Sequence, residues 1–329
     1  MDNIQVKNIW RLQIHIHVLG CYPEGESILI VLYDNSDKIP LKSILVDCYE
    51  LNNQNRIETA LKSYDLQDKK LDYVIWTHPD RDHSVGFSNI VANYSSSKTL
   101  YLLPEGLSVW EVINDWEKFK SWVAISKSKI TGKLNVERVN TSNRRTYPIQ
   151  YGTTYYDGVN DDVNFSIEIL TPFASHVFRH FEHNKTHKGN HMSISFTVRL
   201  GHLGFYFGGD AENMAIKEID SNRLEDLYFV KIPHHGSYTS DLLPSKLNSQ
   251  QDDKEPIIIS ITTGYHKGGS DLPLTNVLNQ YKTKSSMILK TEDDNHQSCY
   301  GIWSCVFNRV LCQPWSFTHE GDSTVFYHT

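Results

Sequence analysis

Short apolar runs separated by polar connections dominate the first third of the chain, a pattern typical of β-strands. The run at 12–20 alternates apolar and polar positions, which predicts a strand with one buried face. The run at 26–33 is almost continuously apolar, as in a buried strand, and the strand-like run at 42–49 carries an aspartate near its end. A helix is predicted for 55–66, and two further strands for 71–76 and 98–104.

The second half of the chain returns to the same pattern after a less regular stretch. A helix is predicted for 275–284. Apolar runs that carry a polar residue at or near one end predict strands at 165–172, 191–200, 203–210 and 227–237, followed by plainer runs at 256–262 and 287–291. Strands mixed with helices indicate an α/β protein.

Residues 105–165 are the hardest to interpret. The segment 108–125 is amphipathic and carries Trp110, Trp116 and Trp122, which favours core packing over a wall of a substrate site. The segment 140–164 is polar and rich in turn-forming residues, so we expect a loop there. We see no internal repeat or linker, and therefore expect one domain over 1–329 with an insert at about 105–165.

Composition limits the classes of partner. The formal net charge is -7 and the pI is near 6.1, so a nucleic-acid substrate would need a local basic patch or a bound metal ion. The chain has neither a basic start followed by a long apolar stretch nor an apolar window long enough for a membrane span. Five scattered cysteines without a CxxC pair suit a reducing compartment, and we expect a cytoplasmic protein.

Potential metal ligands stand at the ends of four predicted strands. Loops at strand ends bring such groups together on a rigid scaffold, and imidazoles and carboxylates are common metal ligands. The candidates in chain order are His78, Asp80, Asp82 and His83 in THPDRDH, then Asn190 or His191, then Asp210, then His234 and His235. Any one of them has a plain structural explanation, but their joint recurrence predicts a site for two divalent ions.

These motifs resemble those of the metallo-β-lactamase superfamily. THPDRDH is similar to its H-x-H-x-D-H signature, with Asp80 where the second histidine usually stands. The set of THPDRDH, NHMSISF, GGD, PHHGS and ISITTG, with early GESILI and ILVDC, is more similar to the soluble domain of the DNA-uptake protein ComEC and its free-standing relatives. The chain departs from that pattern at Cys48 and Tyr49, where a glycine is usual, and in the segment GYHKGGSDLP.

The resemblance implies a fold and a ligand set. The fold is an αββα sandwich of two mixed sheets with outer helices and metal ions at one edge. His78 and Asp80 would hold one ion, with His191 as a third ligand, although Asn190 is the position that matches the family. Asp82, His83 and His235 would hold the other ion, and Asp210 would bridge the two. The carboxylate of Asp80 makes manganese a competitor to zinc.

The resemblance also implies chemistry. The expected activity is that of a phosphodiesterase or nuclease acting on DNA, in which a metal-activated hydroxide attacks phosphorus. Asp82 at the metal and His234, as proton donor to the leaving oxygen, are the predicted catalytic residues. Ser237 and Lys231 are candidate phosphate contacts, although Lys231 could equally be a plain strand residue.

Two other functions stay open at the level of sequence. One is hydrolysis of a small phosphodiester such as a cyclic nucleotide, which would suit the negative net charge. The other is a sensor or effector subunit working with an unidentified protein partner, for example in an anti-phage defence system.

A histidine cluster lies outside these motifs. His176, His180, His183 and His187 recur at spacings of three or four residues before His191, and on a helix they would share one face. A second metal site or a basic substrate-binding lip could follow, but we favour a solvated loop.

Overall fold

The computed structural model describes residues 4–52, 56–68, 70–151, 163–182, 189–247, 258–292, 299–308 and 313–328. Two sheets contain the described strands. The helices are α1 Ile57–Ser63, α2 Phe87–Asn93, α3 Trp116–Ile130, α4 Ala174–Glu182, α5 Asn213–Glu218, α6 Leu243–Lys246 and α7 Thr275–Tyr281. Among these residues, no helix combines the length and apolar character required to span a bilayer.

One sheet has eight strands, in the spatial order β16-β15-β2-β3-β4-β5-β6-β7. Their bounds are β2 Leu12–Cys21, β3 Glu26–Asp34, β4 Ile39–Val46, β5 Tyr73–Ile75, β6 Leu100–Pro104, β7 Asn135–Val139, β15 Tyr300–Asn308 and β16 Gln313–Gly321. The strands from β4 to β7 are parallel, whereas the others pair antiparallel, so the sheet is mixed.

The other sheet has nine strands, in the order β1-β8-β9-β10-β11-β12-β13-β14-β17. Their bounds are β1 Ile4–Val6, β8 Arg144–Tyr151, β9 Asn164–Ile169, β10 Phe196–Leu200, β11 Leu203–Phe207, β12 Leu227–Lys231, β13 Ile258–Thr262, β14 Ser285–Lys290 and β17 Thr324–His328. The strands from β11 to β14 are parallel within an otherwise largely antiparallel sheet.

Side-chain alternation builds the layers. In β3, Ile28 and Ile30 point into a core shared with Phe196 and Phe207 of the other sheet, whereas Leu29 points outward. The outward face of the eight-stranded sheet packs against α1, α2 and α3. The outward face of the nine-stranded sheet packs against α5, α6 and α7. The predicted arrangement of two mixed sheets with helices outside them is confirmed.

Two local expectations are wrong. Residues 144–151 form β8 instead of a loop, because pairing with β1 and β9 supplies backbone partners that the local sequence does not reveal. The histidine cluster begins in a helix, α4, and His176 is buried there instead of lying in a solvated loop. His183 and His187 lie outside the described residues, as do residues 152–162 of the insert.

The three tryptophans of the insert do not share one environment. Trp122 packs partly buried against the core cluster of the eight-stranded sheet, as predicted. Trp110 and Trp116 are exposed, so core packing is the wrong interpretation for them.

Candidate metal centre

The predicted ligands gather where parallel strands of both sheets end. Asp47 follows β4 and His78 follows β5 in one sheet. Asp210 follows β11, and His234 and His235 follow β12, in the other sheet. Parallel neighbours present their carboxyl ends at the same edge, and here the two such edges face each other.

Backbone contacts fix Asp210 at this edge. The backbone N–H of Ile194 donates to the carbonyl of Thr77 at 2.9 Å, and that of Asp210 donates to Ser193 Oγ at 2.8 Å. Gly209 has a φ of +48°, and a Cβ there would lie 2.7 Å from the carbonyl oxygen of Ile194. Only glycine fits this position, which allows the GGD turn to bring its aspartate close to the opposite strand end.

The double histidine occupies an unusual turn. His234, His235 and Gly236 all have left-handed backbone conformations, with φ values of 47°, 51° and 75°. The turn is held by a hydrogen bond from the His234 N–H to the Gly209 carbonyl at 2.9 Å. Consecutive non-glycine residues in this region are strained, and such strain often accompanies functional sites.

Four buried side chains have ligand atoms within 4.8 Å of one another: Asp82, His83, Asp210 and His235. The Nε2 atoms of His83 and His235 are 3.4 Å apart. Asp82 Oδ2 lies 3.0 Å from His235 Nε2, and Asp210 Oδ1 lies 3.3 Å from His83 Nε2. Two imidazole nitrogens and two carboxylate oxygens therefore converge on one point.

Oxygen atoms behind these two histidines set their tautomers. His83 Nδ1 is 2.7 Å from Asp47 Oδ2, a carboxylate that can only accept when ionised. His235 Nδ1 is 2.9 Å from Thr263 Oγ1, which itself donates to Glu26 Oε2 at 2.6 Å and so accepts from the ring. Each ring thus carries its proton on Nδ1 when neutral and directs an Nε2 lone pair at the centre.

His78 follows the same rule. Its Nδ1 is 3.0 Å from Thr77 Oγ1, and that hydroxyl donates to Asp47 Oδ2 at 2.6 Å. Its Nε2 lies 3.5 Å from Asp210 Oδ2 and 3.8 Å from Asp80 Oδ2. The Asp80 side chain is 43% exposed, which places it at the solvent side of the centre.

Asp210 lies between two groups of donors. Its Oδ1 is 3.3 Å from His83 Nε2 and 3.8 Å from His235 Nε2. Its Oδ2 is 3.5 Å from His78 Nε2 and 3.8 Å from His234 Nε2. This is the arrangement of a carboxylate that could bridge two ions.

Unsatisfied atoms support a cation at this centre. Among the described residues, His78 Nε2 and Asp210 Oδ1 are buried polar atoms without a hydrogen-bond partner. Orphaned polar atoms are costly inside a protein, and two imidazole lone pairs at 3.4 Å gain nothing from each other. Two divalent ions, one on each side of Asp210, would satisfy all of them, and a mixed nitrogen and oxygen set suits zinc or manganese.

The electrostatics of the centre also favour positive charge. Burial alone raises the pKa of Asp82 and Asp210, but the surrounding histidines hold both pKa values below the usual range. Burial lowers the pKa of His83 and His235, but the carboxylates outweigh it and raise both pKa values. The same negative potential would attract a metal cation, in competition with these protons.

His234 lies at the edge of the centre. Its Nδ1 is 2.6 Å from Thr239 Oγ1, and its Nε2 is 3.2 Å from the Asn190 side-chain amide. Burial lowers the pKa of His234, which favours the neutral ring that a metal ligand requires. His191 is next to Asn190 in the same 3-10 turn, and its role as a ligand stays a prediction.

Some functional groups were missed from the sequence, and one alternative left open there, the role of Lys231, is decided by burial. Glu26, Thr77 and Thr263 act behind the ligands, and only Glu26, an acid at the start of a mainly apolar strand, gives a sequence signal. Lys231 is fully buried, with Nζ 2.7 Å from Glu26 Oε2, so it is unavailable as a phosphate contact. Ser237 is half-buried and caps the turn that carries Thr239, and its contact with phosphate stays a prediction.

No protein-family profile and no curated protein sequence matches the chain. Several solved structures do resemble the chain. One is described as a metal-dependent hydrolase from Parabacteroides distasonis, with 14% identity, a TM-score of 0.36 and coverage of 79% of this chain and 91% of that chain. The short form of human tRNase Z matches with 13% identity, a TM-score of 0.34 and coverage of 66% and 76%. Zinc-bound PqqB from Methylobacterium extorquens matches with 8% identity, a TM-score of 0.35 and coverage of 71% and 77%. Likeness this distant carries no information on substrate or mechanism.

Proposed function

We propose that this protein is a divalent-metal-dependent hydrolase of phosphodiesters. One observation carries the proposal: three buried imidazoles, each with Nδ1 held by an oxygen, direct Nε2 at a shared carboxylate. Buried carboxylates and imidazole nitrogens this close together need positive charge between them, which either protons on the rings or a metal cation can supply.

The residues divide into two ligand sets. His78 and His234 lie on the Oδ2 side of Asp210, with Asp80 next to His78. Asp82, His83 and His235 lie on the Oδ1 side. Divalent ions held there would lower the pKa of a water molecule and polarise a phosphoryl oxygen. His234 is assigned here to the first ion, where the sequence alone suggested His191.

The protein's own groups position the rest of the reaction. Asp47 keeps His83 in one tautomer and one orientation. Glu26 does the same for His235, because it accepts from the Thr263 hydroxyl that holds the ring. Asp80 and His234, at the solvent side, are the ligands nearest to an incoming substrate. The alternative role of His234 is the one that the sequence predicts. If His234 does not bind a metal ion, its ring is placed to protonate a leaving oxygen.

A phosphodiester suits this centre because two cationic charges can neutralise both non-bridging oxygens and a developing negative charge. The motif resemblance to the ComEC domain adds DNA as the expected polymer. Small cyclic phosphodiesters belong in the same assay, since the net charge of -7 gives no general attraction to a polyanion.

The test is metal analysis combined with turnover of bis(p-nitrophenyl) phosphate, single- and double-stranded DNA, RNA and cyclic dinucleotides. We expect about two ions per chain and higher turnover with manganese than with zinc. Asp210→Asn should abolish both occupancy and turnover, whereas Asp37→Asn, an exposed control on the β3–β4 turn, should retain both. Full turnover in a metal-free preparation, or in Asp210→Asn, would exclude the proposal.

A further inference from the structure

Two large aromatic side chains are exposed on the elements that follow β6, a strand that is parallel to β5 and ends at the same edge of the sheet. Trp110 is 74% exposed and Trp116 is 68% exposed. Tryptophan usually buries most of its surface, so two exposed indoles on neighbouring elements indicate a contact surface.

Hydrogen bonds join the start of α3 to the metal-binding loop. Asp115 caps the N-terminus of α3 and accepts from Arg81 Nη1 at 3.2 and 3.1 Å. Arg81 stands between the candidate ligands Asp80 and Asp82. Six residues later, Ser121 Oγ donates to the Ser84 carbonyl at 2.7 Å. Trp116 is therefore carried by a helix end that is fastened beside the centre.

The same helix carries a local excess of positive charge. α3 and the turn that follows it, residues 116–133, contain five lysines and one glutamate, in a chain whose net charge is -7. The exposed positions along the outer face of α3 are Trp116, Lys120, Val123, Lys127 and Ile130, with Lys129 beside them. This surface, which we call the α3 face, extends away from the metal-binding loop over about 22 Å, the length of a 15-residue helix.

We propose that the α3 face, with Trp110, binds single-stranded nucleic acid and guides it to the metal centre. This inference rests on the proposed function. The lysines of the α3 face would form the local basic patch that a nucleic-acid substrate requires. Indoles stack on unpaired bases of any sequence, and lysines contact the phosphates between them. A nucleic-acid duplex fits the α3 face less well, because its base faces are stacked away from the indoles. A protein partner also fits less well, because lysine is depleted in protein–protein interfaces.

The decisive measurement is binding of a fluorescent single-stranded oligonucleotide in EDTA, where no cleavage occurs. Trp110→Ala and Trp116→Ala should each weaken binding on the order of 5- to 100-fold, as for other stacking residues. The logarithm of the association constant falls as the logarithm of the salt concentration rises. In the double variant Lys127→Ala/Lys129→Ala this slope should be less steep by about 1.4, the value for two phosphate contacts to a single strand.

Matched controls lie at the other end of the sheet. Trp10→Ala removes an exposed indole just before β2, and Lys7→Ala/Lys98→Ala removes two lysines there, so both should bind as the unchanged protein does. Loss of binding confined to the α3 variants supports the proposal. Unchanged binding in Trp116→Ala and in the α3 lysine variant would overturn it, and so would a clear preference for duplex. Turnover of bis(p-nitrophenyl) phosphate, measured in parallel, reports separately on the proposed hydrolase.

Discussion

Each metal-facing histidine depends on an oxygen that never touches the metal. Asp47, Thr77 and Thr263 accept from the Nδ1 atoms of the three rings, so the rings cannot rotate or change tautomer without losing a buried hydrogen bond. Supporting partners of this kind typically contribute 10- to 100-fold to metal affinity.

Thr263→Val should therefore weaken metal binding about 10- to 100-fold, because His235 loses the acceptor that orients it. The change preserves shape, so the fold should persist. Competition with a chromogenic chelator measures the affinity. Thr197→Val is the matched control, since the buried Thr197 hydroxyl has no hydrogen-bond partner among the described residues. Equal affinity in the two variants would show that the Thr263 hydroxyl does not position the ring.

The two adjacent histidines should respond differently to removal. His235→Ala should lose the ion held with Asp82 and His83, because one of few protein ligands is gone. His234→Ala should lose the other ion, which elemental analysis reports as about one ion per chain in each variant. A His234→Ala protein that keeps both ions, but loses rate on the order of 10²–10⁴-fold with recovery on a nitrophenyl ester, would instead make His234 a general acid.

Strand β2 shows how an element accommodates polar side chains away from the metal centre. His15 and His17 lie on one face of the strand, and Tyr64 Oη is 2.6 Å from His15 Nδ1 and 2.8 Å from His17 Nε2. Burial lowers the pKa of His15 to about 4 and that of His17 to about 3. The folded state therefore requires both rings to be neutral.

Stability should fall as the pH drops from about 6.5 towards 4. In that interval His15 and His17 are protonated in the unfolded chain, where their pKa is an ordinary 6.5, but stay neutral in the folded protein. The unfolded state therefore binds more protons, and the free energy of unfolding decreases with falling pH. Urea unfolding in EDTA at a series of pH values measures this free energy. In His15→Gln/His17→Gln the decrease should be smaller. An identical pH dependence in both proteins would contradict this role of the pair.

At the scale of the whole molecule, a buried ion pair connects the two sheets beneath the metal centre. Glu26 of β3 and Lys231 of β12 are fully buried, 2.7 Å apart. Such a pair need not stabilise a protein relative to apolar residues, but breaking it leaves an uncompensated buried charge. The pair therefore fixes how the sheets, and with them the two halves of the ligand set, face each other.

Lys231→Met should cost about 3–5 kcal/mol in the free energy of unfolding, because Glu26 is left buried without its partner. Lys42→Met, which breaks the more exposed pair with Asp72, should cost about 0–1 kcal/mol. Urea unfolding compares the two. The double variant Glu26→Gln/Lys231→Met should regain part of the loss, and a Lys231→Met protein as stable as Lys42→Met would contradict the argument.

The sequence by itself determined what depends on local pattern. Apolar periodicity indicated most strands and helices, and the strand-end motifs indicated which residues could be ligands, because both signals are carried by residues close together in the chain. Only the tertiary structure could decide the rest. Strand β8 forms through pairing with distant strands, Glu26 reaches His235 through Thr263 across more than two hundred residues, and Trp116 remains exposed although its helix is amphipathic. These features depend on which surfaces meet when two sheets pack, and spacing along the chain does not encode that.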